Sequence, residues 1–371
     1  MKGRDIGYRR SEIGDWKSGK FPISGIRYPI SHLRQLRLCG EIVVVLIAAF
    51  AAGCGRYSEF TLPPLAGSGA PVSFEWQAEP APVLSQGPRG QWDSGDVLNP
   101  SVVRIQGTYH NFYSGFDGKT WRTGLATSAD GIHWQKQWMV LAPDPNTWEG
   151  GYIAANGSAL LVEGQVFYWY QAAQPPRIGL ARSLDDRRFE KLPRPVLDLG
   201  PRGSWDERGV ADPYVIREGG VFYMYYLGQD RARRQRLGVA RSEDGVKWWK
   251  LRANPILELG AAGAFDENGL GEPAVWSSNG WYWMLYTGRN RAENRRLGLA
   301  RSTDGVKWQR TSESPVFSGN QPWDSKVVCD PTIEVTPAGI RVWFGGGDVA
   351  SPDQNLHGQI GTAVLRMNWA R

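Results

Sequence analysis

The chain has 371 residues and a formal charge of +6, from 43 lysines and arginines against 37 aspartates and glutamates. Residues 1–53 hold nine of the basic and four of the acidic side chains, so residues 54–371 are nearly neutral and offer no basic face for a nucleic acid. Three cysteines are too few for a disulfide framework, and the 46 glycines and 24 prolines exclude a protein built of long helices.

The first predicted element is a targeting segment. Residues 42–53 read IVVVLIAAFAAG, an apolar run that is too short to cross a bilayer as a helix but typical of an export signal. Together with Cys54, the end of this run resembles the lipobox of bacterial lipoproteins, in which the signal is cleaved before a cysteine that is then lipidated. A plain secretory signal followed by an unrelated cysteine is the alternative. We expect Cys54 to anchor an exported protein to the bacterial cell envelope, on its periplasmic or outer-membrane face.

The segments on either side of this signal carry no repeat. The long stretch that precedes it predicts a true start downstream of Met1. Residues 54–85 are rich in proline, glycine, serine and alanine, and we predict a tether there. Residues 86–371 are then the folded domain.

Five segments of that domain resemble one another. They start at Trp92, Trp148, Trp205, Phe265 and Trp323, with spacings of 56, 57, 60 and 58 residues. Short apolar and aromatic alternations bounded by Gly, Asn and Asp predict strands joined by turns, most clearly at residues 221–226. Four short strands fit into each repeat, so we predict an all-β chain that forms a five-bladed β-propeller of four-stranded antiparallel blades. An open β-sandwich array is the alternative, but it gives no reason for so regular a period.

Comparison of the repeats separates scaffold positions from candidate site positions. An acid follows the first aromatic residue of every repeat, and we predict that these constant acids hydrogen-bond their own turns: Asp93, Glu149, Asp206, Asp266 and Asp324. At the start of the innermost strand the residue types diverge instead: Asn99, Asn156, Asp212, Glu272 and Asp330.

The innermost strands of a propeller crowd around its axis, so we expect these five diverging side chains to meet at one mouth. Carboxylates gathered there raise one another's pKa, which is costly unless they act as acid and base or bind a cation. The alternative is that they are polar residues that begin strands and hydrogen-bond the neighbouring blade.

This pattern resembles the five-bladed β-propeller glycosidases of the arabinanase, levansucrase and invertase superfamily, which includes glycoside hydrolase families 43 and 32. The resemblance covers residues 86–371 and rests on the blade period, the Asp-Gly-x-x-Trp closures, Asp212-Pro213 and Glu272-Pro273. It implies cleavage of glycosidic bonds in an oligo- or polysaccharide, with Glu272 as general acid and Asp212 as the acid that tunes its pKa. A sialidase-type propeller is disfavoured because its Asp-box is one residue longer and its repeats number six.

One position departs from the family, which carries a general-base aspartate where this chain has Asn99. An amide neither accepts a proton as a base nor attacks as a nucleophile. Three interpretations are open. Asp96 serves as the base from three residues away, in which case it must share a pocket with Asp212 and Glu272. Alternatively, phosphate attacks, as in the family 130 phosphorylases, whose first blade also carries Asn-Pro. In the third interpretation, the protein binds sugars without cleaving them.

Loops returning to the mouth supply the remaining candidates. The third and fourth loops are dense in arginine, whose guanidinium grips phosphate, carboxylate or vicinal hydroxyls. The alternative is that these loops are solvated and that one or two arginines pair the central carboxylates. The resemblance places His357 near an axial calcium or the substrate, and tryptophans stack on sugar rings. The candidate substrate-binding residues are Asn99, Asn156, Asp330, His357, Trp121, Trp148 and Arg289.

This chemistry requires no cofactor, and the resemblance leaves open a structural calcium on the propeller axis. We expect a monomer whose partner is a carbohydrate and which binds no nucleic acid.

Overall fold

Alternation of apolar and polar residues produces strands throughout the described part of the chain. A computed structural model describes residues 56–67, 69, 71–185 and 187–369. Every regular element in those residues is a strand, apart from one 3-10 turn at Pro322–Asp324. The first two strands are β1 (Tyr57–Ser58) and β2 (Pro71–Ala78). The predicted all-β class is therefore confirmed.

The other strands form five antiparallel groups, here called blades, that follow the five sequence repeats. The first blade contains β3 (Asp96–Leu98), β4 (Val102–Ile105), β5 (Thr108–Phe116), β6 (Trp121–Ser128) and β7 (Gln135–Leu141). The second contains β8 (Ala154–Val162), β9 (Gln165–Ala172), β10 (Arg177–Ser183) and β11 (Phe189–Lys191). The third contains β12 (Gly209–Glu218), β13 (Val221–Gln229), β14 (Gln235–Ser242) and β15 (Trp249–Leu251).

The last two blades repeat this order. The fourth contains β16 (Gly269–Ser278), β17 (Trp281–Arg289), β18 (Arg295–Ser302) and β19 (Gln309–Arg310). The fifth contains β20 (Val327–Thr336), β21 (Gly339–Gly347) and β22 (Gln359–Trp369), and its fourth strand is β2.

Neighbouring blades touch where the third strand of one begins beside the inner strand of the next. Gln235 pairs with Gly269 and Arg295 pairs with Val327 in this way. The ring closes between the fifth and first blades, where the backbone N–H of Val97 donates to the carbonyl of Gly358 at 3.0 Å. Inner strands around one axis, with their starts at the same end, are the arrangement of a β-propeller.

The segment before the first blade is part of this fold, so the tether predicted at residues 54–85 is wrong for its described residues. β2 pairs antiparallel with β22 and completes the fifth blade, while β1 pairs with β15 at the edge of the third. Between them Leu62 is 2% exposed in the core. The alternation of Phe74 and Trp76 with polar residues was the available signal, and the proline- and glycine-rich composition around it obscured that pattern.

We call the five constant acids the outer acids: Asp93, Glu149, Asp206, Asp266 and Asp324. They hold the first four blades together, whereas Asp324 of the fifth accepts from the N–H of Gln321 in its own turn. All are at most 3% exposed. Glu149 shows the pattern, accepting from Tyr170 Oη at 2.5 Å and Lys191 Nζ at 2.6 Å. Tyrosine and lysine or arginine partners recur in the first, third and fourth blades. The predicted bonds to their own turns exist as well, as from the N–H of Asp144 to Glu149, but the blade-spanning partners carry the charge balance.

The Asp-Gly closures tie blades to one another. In the turn after β14, Ser242 Oγ accepts from the N–H of Gly245 at 2.9 Å, and Asp244 Oδ1 accepts from the next two N–H groups. Trp169 of the second blade donates its indole N–H to the carbonyl of Gly245 at 2.8 Å. Trp343 of the fifth blade donates to Gly131 of the first at 2.7 Å, so the same contact closes the ring.

No helix among the described residues has the length and apolar character to span a membrane. The predicted export signal, the lipidation of Cys54 and the downstream start all fall on residues outside the described ones.

Candidate functional site

Five residues that begin the inner strands share one backbone conformation. We call them the inner ring, and φ lies between 47° and 53° at all of them: Asn99, Asn156, Asp212, Glu272 and Asp330. In the last four blades the register of the strand pairing shifts at the inner-ring residue. In the first blade the inner-ring residue, Asn99, lies between β3 and β4. A positive φ costs a non-glycine residue about 1–3 kcal/mol. Bulges re-aim side chains beside active sites, which makes this repeated strain a mark of a site.

The inner ring lies between two cavities on the propeller axis. A cavity of about 290 Å³ at one end is lined by all five members. A smaller one of about 30 Å³ is lined by the same five together with the residues that follow them. The structure therefore brings the five diverging side chains together at one mouth, as the comparison of repeats predicted.

Asp212 is a protonated acid in this pocket. Burial raises its pKa to about 8, and the charge of neighbouring Glu272 adds to the rise, while Asn156 and Arg295 oppose it. Its only direct side-chain partner among the described residues is Asn156, whose Nδ2 donates to Oδ1 at the long distance of 3.4 Å. Asp212 therefore keeps its proton at neutral pH.

Asp330 of the fifth blade extends the carboxyl cluster. It is 5% exposed and accepts from the N–H of Asn99 at 3.2 Å and from Cys329 Sγ at 3.1 Å. Burial raises the pKa of Asp330 well above its ordinary value, and the charge of Glu272 adds to that rise. The N–H of Asp330 donates to Glu272 Oε2 at 3.4 Å. Asp212 and Asp330 are thus both shifted toward their protonated forms, and a protonated carboxyl group is what a proton donor needs.

Arg295 is the cation whose charge opposes the rise in the pKa of both Asp212 and Asp330. Burial opposes its charge, but Cys329, Glu272 and Asp330 around it more than offset this and raise its pKa. Its Nη2 donates to the carbonyls of Ser351 and Pro352. Among the described residues Arg295 makes no ion pair with these carboxyl groups, so it acts on them through its charge and not through the pairing that the alternative predicts.

Sequence reasoning did not single out Arg295 or Gln235 as site residues, although a signal was present. Both begin the third strand of a blade and line the large cavity. The residue type at this position varies among the blades, as it does in the inner ring: Trp121, Arg177, Gln235, Arg295 and Gln359. The comparison of repeats, applied to this second position, would have found them.

Two predicted substrate-binding residues outside the inner ring lie in the pocket wall. Arg289 lines the cavity, donates from Nη2 to Gln235 Oε1 at 2.7 Å and pairs with Glu293 at 3.2 Å. Trp121 also lines it, but only 4% of its surface is exposed and it stacks on Phe116 with 4.7 Å between ring centroids. Its ring is therefore part of the wall.

Three predicted site residues lie elsewhere. Asp96 is fully buried outside the pocket lining, with its carboxylate oxygens occupied by three backbone N–H groups, so the prediction that it shares a pocket with Asp212 and Glu272 is wrong. His357 is exposed and bonds Asp348 at 2.8 Å. Trp148 packs against the core between the first two blades. It occupies the same repeat position as Trp92, which is a scaffold position.

The residues present do not fit the expected axial calcium. In the described residues, one group of three could offer ligand atoms within 4.8 Å of one another, and it consists of Glu272, Cys329 and Asp330. Calcium prefers six to eight oxygen ligands. Here one ligand is a thiol whose pKa burial raises well above its ordinary value, and Arg295 already supplies positive charge.

Residues 99–259 match the glycosyl hydrolases family 32 N-terminal domain. The chain is 28% identical to an uncharacterized protein of Mycobacterium tuberculosis, covering 56% of this chain and 72% of that protein. It is 27% identical to a 1,2-beta-oligomannan phosphorylase of Thermoanaerobacter sp., over 32% of this chain and 42% of the relative. A sucrose-6-phosphate hydrolase of Klebsiella pneumoniae is 29% identical, over 53% of this chain and 39% of the relative.

Solved structures agree in fold. A glycoside hydrolase superimposes with a TM-score of 0.63 at 15% identity and covers 90% of this chain and 97% of its own. A second structure was reported for the GH130 family of mannoside phosphorylases, which contains glycoside hydrolases that target beta-1,2 mannosidic linkages in Candida mannan. It superimposes with a TM-score of 0.61 at 20% identity and covers 83% of this chain and 96% of its own. The predicted resemblance to the propeller glycosidases is confirmed at the level of fold and of the matched domain.

Proposed function

We propose that this protein cleaves glycosidic bonds in an oligo- or polysaccharide, with Glu272 as the proton donor and Asp212 as its carboxyl partner. The observation that carries the proposal is the pair itself. Two carboxyl groups from adjacent blades line one cavity, where burial and the charge of Glu272 raise the pKa of Asp212 to about 8.

Glycoside cleavage needs these properties. The leaving oxygen must receive a proton as the bond breaks, and the sugar passes through a transition state with positive charge at its ring. A carboxylic acid that stays neutral at pH 7 supplies the proton. Once the proton has left, the ionised carboxylates stabilise the positive charge, and Arg295 limits the repulsion among them.

The comparisons support a carbohydrate as the substrate. The matched domain is that of a glycosyl hydrolase family, and the named relatives act on a phosphorylated sucrose and on a mannose oligomer. No one sugar is common to them, so the proposal stops at the glycosidic bond.

Phosphorolysis is the second candidate, and Asn99 favours it. The first-blade position holds an amide where hydrolytic relatives of this kind are expected to hold a base, and one relative is a phosphorylase. In that reaction phosphate attacks the anomeric carbon and needs no protein base.

The test is a panel of oligosaccharides and aryl glycosides, incubated with and without inorganic phosphate. We expect Glu272→Gln to lower the rate for natural leaving groups by about 100-fold to 10,000-fold. Dinitrophenolate leaves without a proton, so dinitrophenyl glycosides should restore most of this loss. Glu267→Gln is the matched control, because Glu267 lies five residues away, is absent from the pocket lining, and among the described residues bonds Gly263 and Arg291 through its side chain.

Three results separate the alternatives. If dinitrophenyl glycosides restore the turnover of Asp212→Asn and not that of Glu272→Gln, then Asp212 is the proton donor and Glu272 is its carboxyl partner. Turnover that requires phosphate selects phosphorolysis. Sugar binding without turnover by the wild type, or turnover unaffected by Glu272→Gln, would overturn the proposal.

A further inference from the structure

The loop between β21 and β22 covers part of the pocket. Of its residues, Pro352 and Asp353 line the large cavity. This loop belongs to the fifth blade, so Asp353 enters the pocket from outside the inner ring. The comparison of inner-strand positions could not have found it.

The loop is fixed to other blades just before and just after Asp353. On the near side, Arg295 of the fourth blade donates to the carbonyls of Ser351, at 3.3 Å, and Pro352. On the far side, Tyr152 of the second blade donates its hydroxyl to Gln354 Oε1 at 3.1 Å. Asp353 therefore stands between two fixed residues.

Asp96 provides the third anchor of the loop. Its oxygens accept from the N–H groups of Asn355 at 2.6 Å, Leu356 at 3.0 Å and Gly358 at 2.8 Å. Asp96 has no free oxygen aimed at the pocket, and its contacts fix the course of the loop.

The Asp353 side chain itself is free. It is exposed, and among the described residues it accepts no hydrogen bond and makes no ion pair. It lines the same cavity as Asp212 and Arg295, and its charge raises the pKa of both. The other acids of the pocket differ, because Asp212, Glu272 and Asp330 all accept hydrogen bonds from the protein.

We propose that Asp353 is the general base that Asn99 cannot be, and that Asp96 is the residue that positions it. The inference rests on the proposed glycoside cleavage and selects hydrolysis. Asp353 takes a proton from a water molecule whose oxygen bonds to the anomeric carbon. The glycosidic C–O bond breaks at the same centre, and its oxygen takes the proton of Glu272. Exchange with solvent then returns a proton to Glu272 and removes one from Asp353.

The test is Asp353→Asn in the full chain, on the same panel without phosphate. A lost base should lower hydrolysis about 100-fold or more, with an unchanged melting temperature because the side chain is exposed. Azide attacks without losing a proton, so it should restore cleavage and give a glycosyl azide. Asp348→Asn is the control, because it alters an exposed acid of the same loop whose side-chain partner among the described residues is His357. It should keep wild-type turnover.

Two further readouts test the mechanism and the positioning role. Direct attack by water predicts that proton NMR finds the product with inverted anomeric configuration. Asp96→Asn should lower kcat about 10-fold to 100-fold with little change in KM. It should add nothing further in the Asp353→Asn background, because a residue that acts through another gives non-additive effects.

The outcomes distinguish this inference from the proposed function. If Glu272→Gln loses turnover while Asp353→Asn keeps it, or if turnover requires phosphate, glycoside cleavage stands and the base assignment is overturned. A purely additive Asp96→Asn effect overturns the positioning role. A wild type without turnover on any glycan overturns both proposals together.

Discussion

The outer acids and the inner ring lie on the same blades, yet the protein treats their charges in opposite ways. Asp206 and Asp212 are six residues apart in the third blade. Asp206 is fully buried, with Lys250 Nζ at 2.5 Å and Tyr226 Oη at 3.3 Å. Asp212 accepts from the side-chain amide of Asn156 at 3.4 Å, and the negative charges of Glu272 and Asp353 act on it. The first acid is paired for stability, and the second is left poorly paired at a cost to stability.

The difference lies in where the partners come from. The tyrosine and lysine of Asp206 belong to its own repeat, so the same unit of sequence encodes the acid and its partners. These neighbours of Asp212 come from two other blades: Asn156 from the second, and Glu272 and Arg295 from the fourth. A repeated unit can stabilise itself, whereas a site arises only where different repeats meet.

The largest change in stability is expected at Asp206, and it tests whether the outer acids are structural. Asp206→Ala leaves Lys250 charged and buried without its partner, and this should lower the free energy of unfolding by about 3–5 kcal/mol. Chemical denaturation measures the loss. Glu243→Ala, which removes an exposed acid of the same blade, should stay within about 0.5 kcal/mol of wild type. A loss of under about 1 kcal/mol for Asp206→Ala would show that the outer acids are not structural.

A smaller effect is expected when a charge is added to the inner ring. Asn99→Asp places a further acid beside Asp330 and should cost about 1 kcal/mol at pH 7, with less loss at pH 4 where carboxyl groups are protonated. Asn279→Asp is the matched control, since Asn279 has the same φ of 49° in an exposed turn. Equal losses in the two variants would mean that the ring acids do not repel one another.

The smallest effect is expected at His357. It bonds only the exposed Asp348, and exposed pairs of this kind contribute little. His357→Ala should change the unfolding free energy by less than about 0.5 kcal/mol and turnover by less than twofold. A tenfold fall in turnover would place this histidine in the site after all.

The sequence predicted the blades and the inner ring because both depend on short-range pattern. Strand alternation and the repeat period determine the blades, and the diverging positions determine which residues face the axis. The misplaced candidates share a different property. Whether Asp96 faces the pocket or the loop depends on N–H groups about 260 residues away, and whether Asp353 reaches the pocket depends on Arg295 and Tyr152. No local pattern records such contacts between distant loops.

The central claim is that the inner ring keeps a carboxyl group protonated at the expense of stability, and Asp212→Asn tests it most directly. In the unfolded chain Asp212 loses its proton above its ordinary pKa of 3.8, while in the folded protein it holds the proton up to about pH 8. The wild type therefore loses stability as the pH rises between these values, and an isosteric amide does not. Chemical denaturation across this range should find equal stabilities near pH 4, with Asp212→Asn becoming the more stable of the two by up to about 4 kcal/mol at pH 7. A variant that is less stable than wild type at pH 7 would contradict the account.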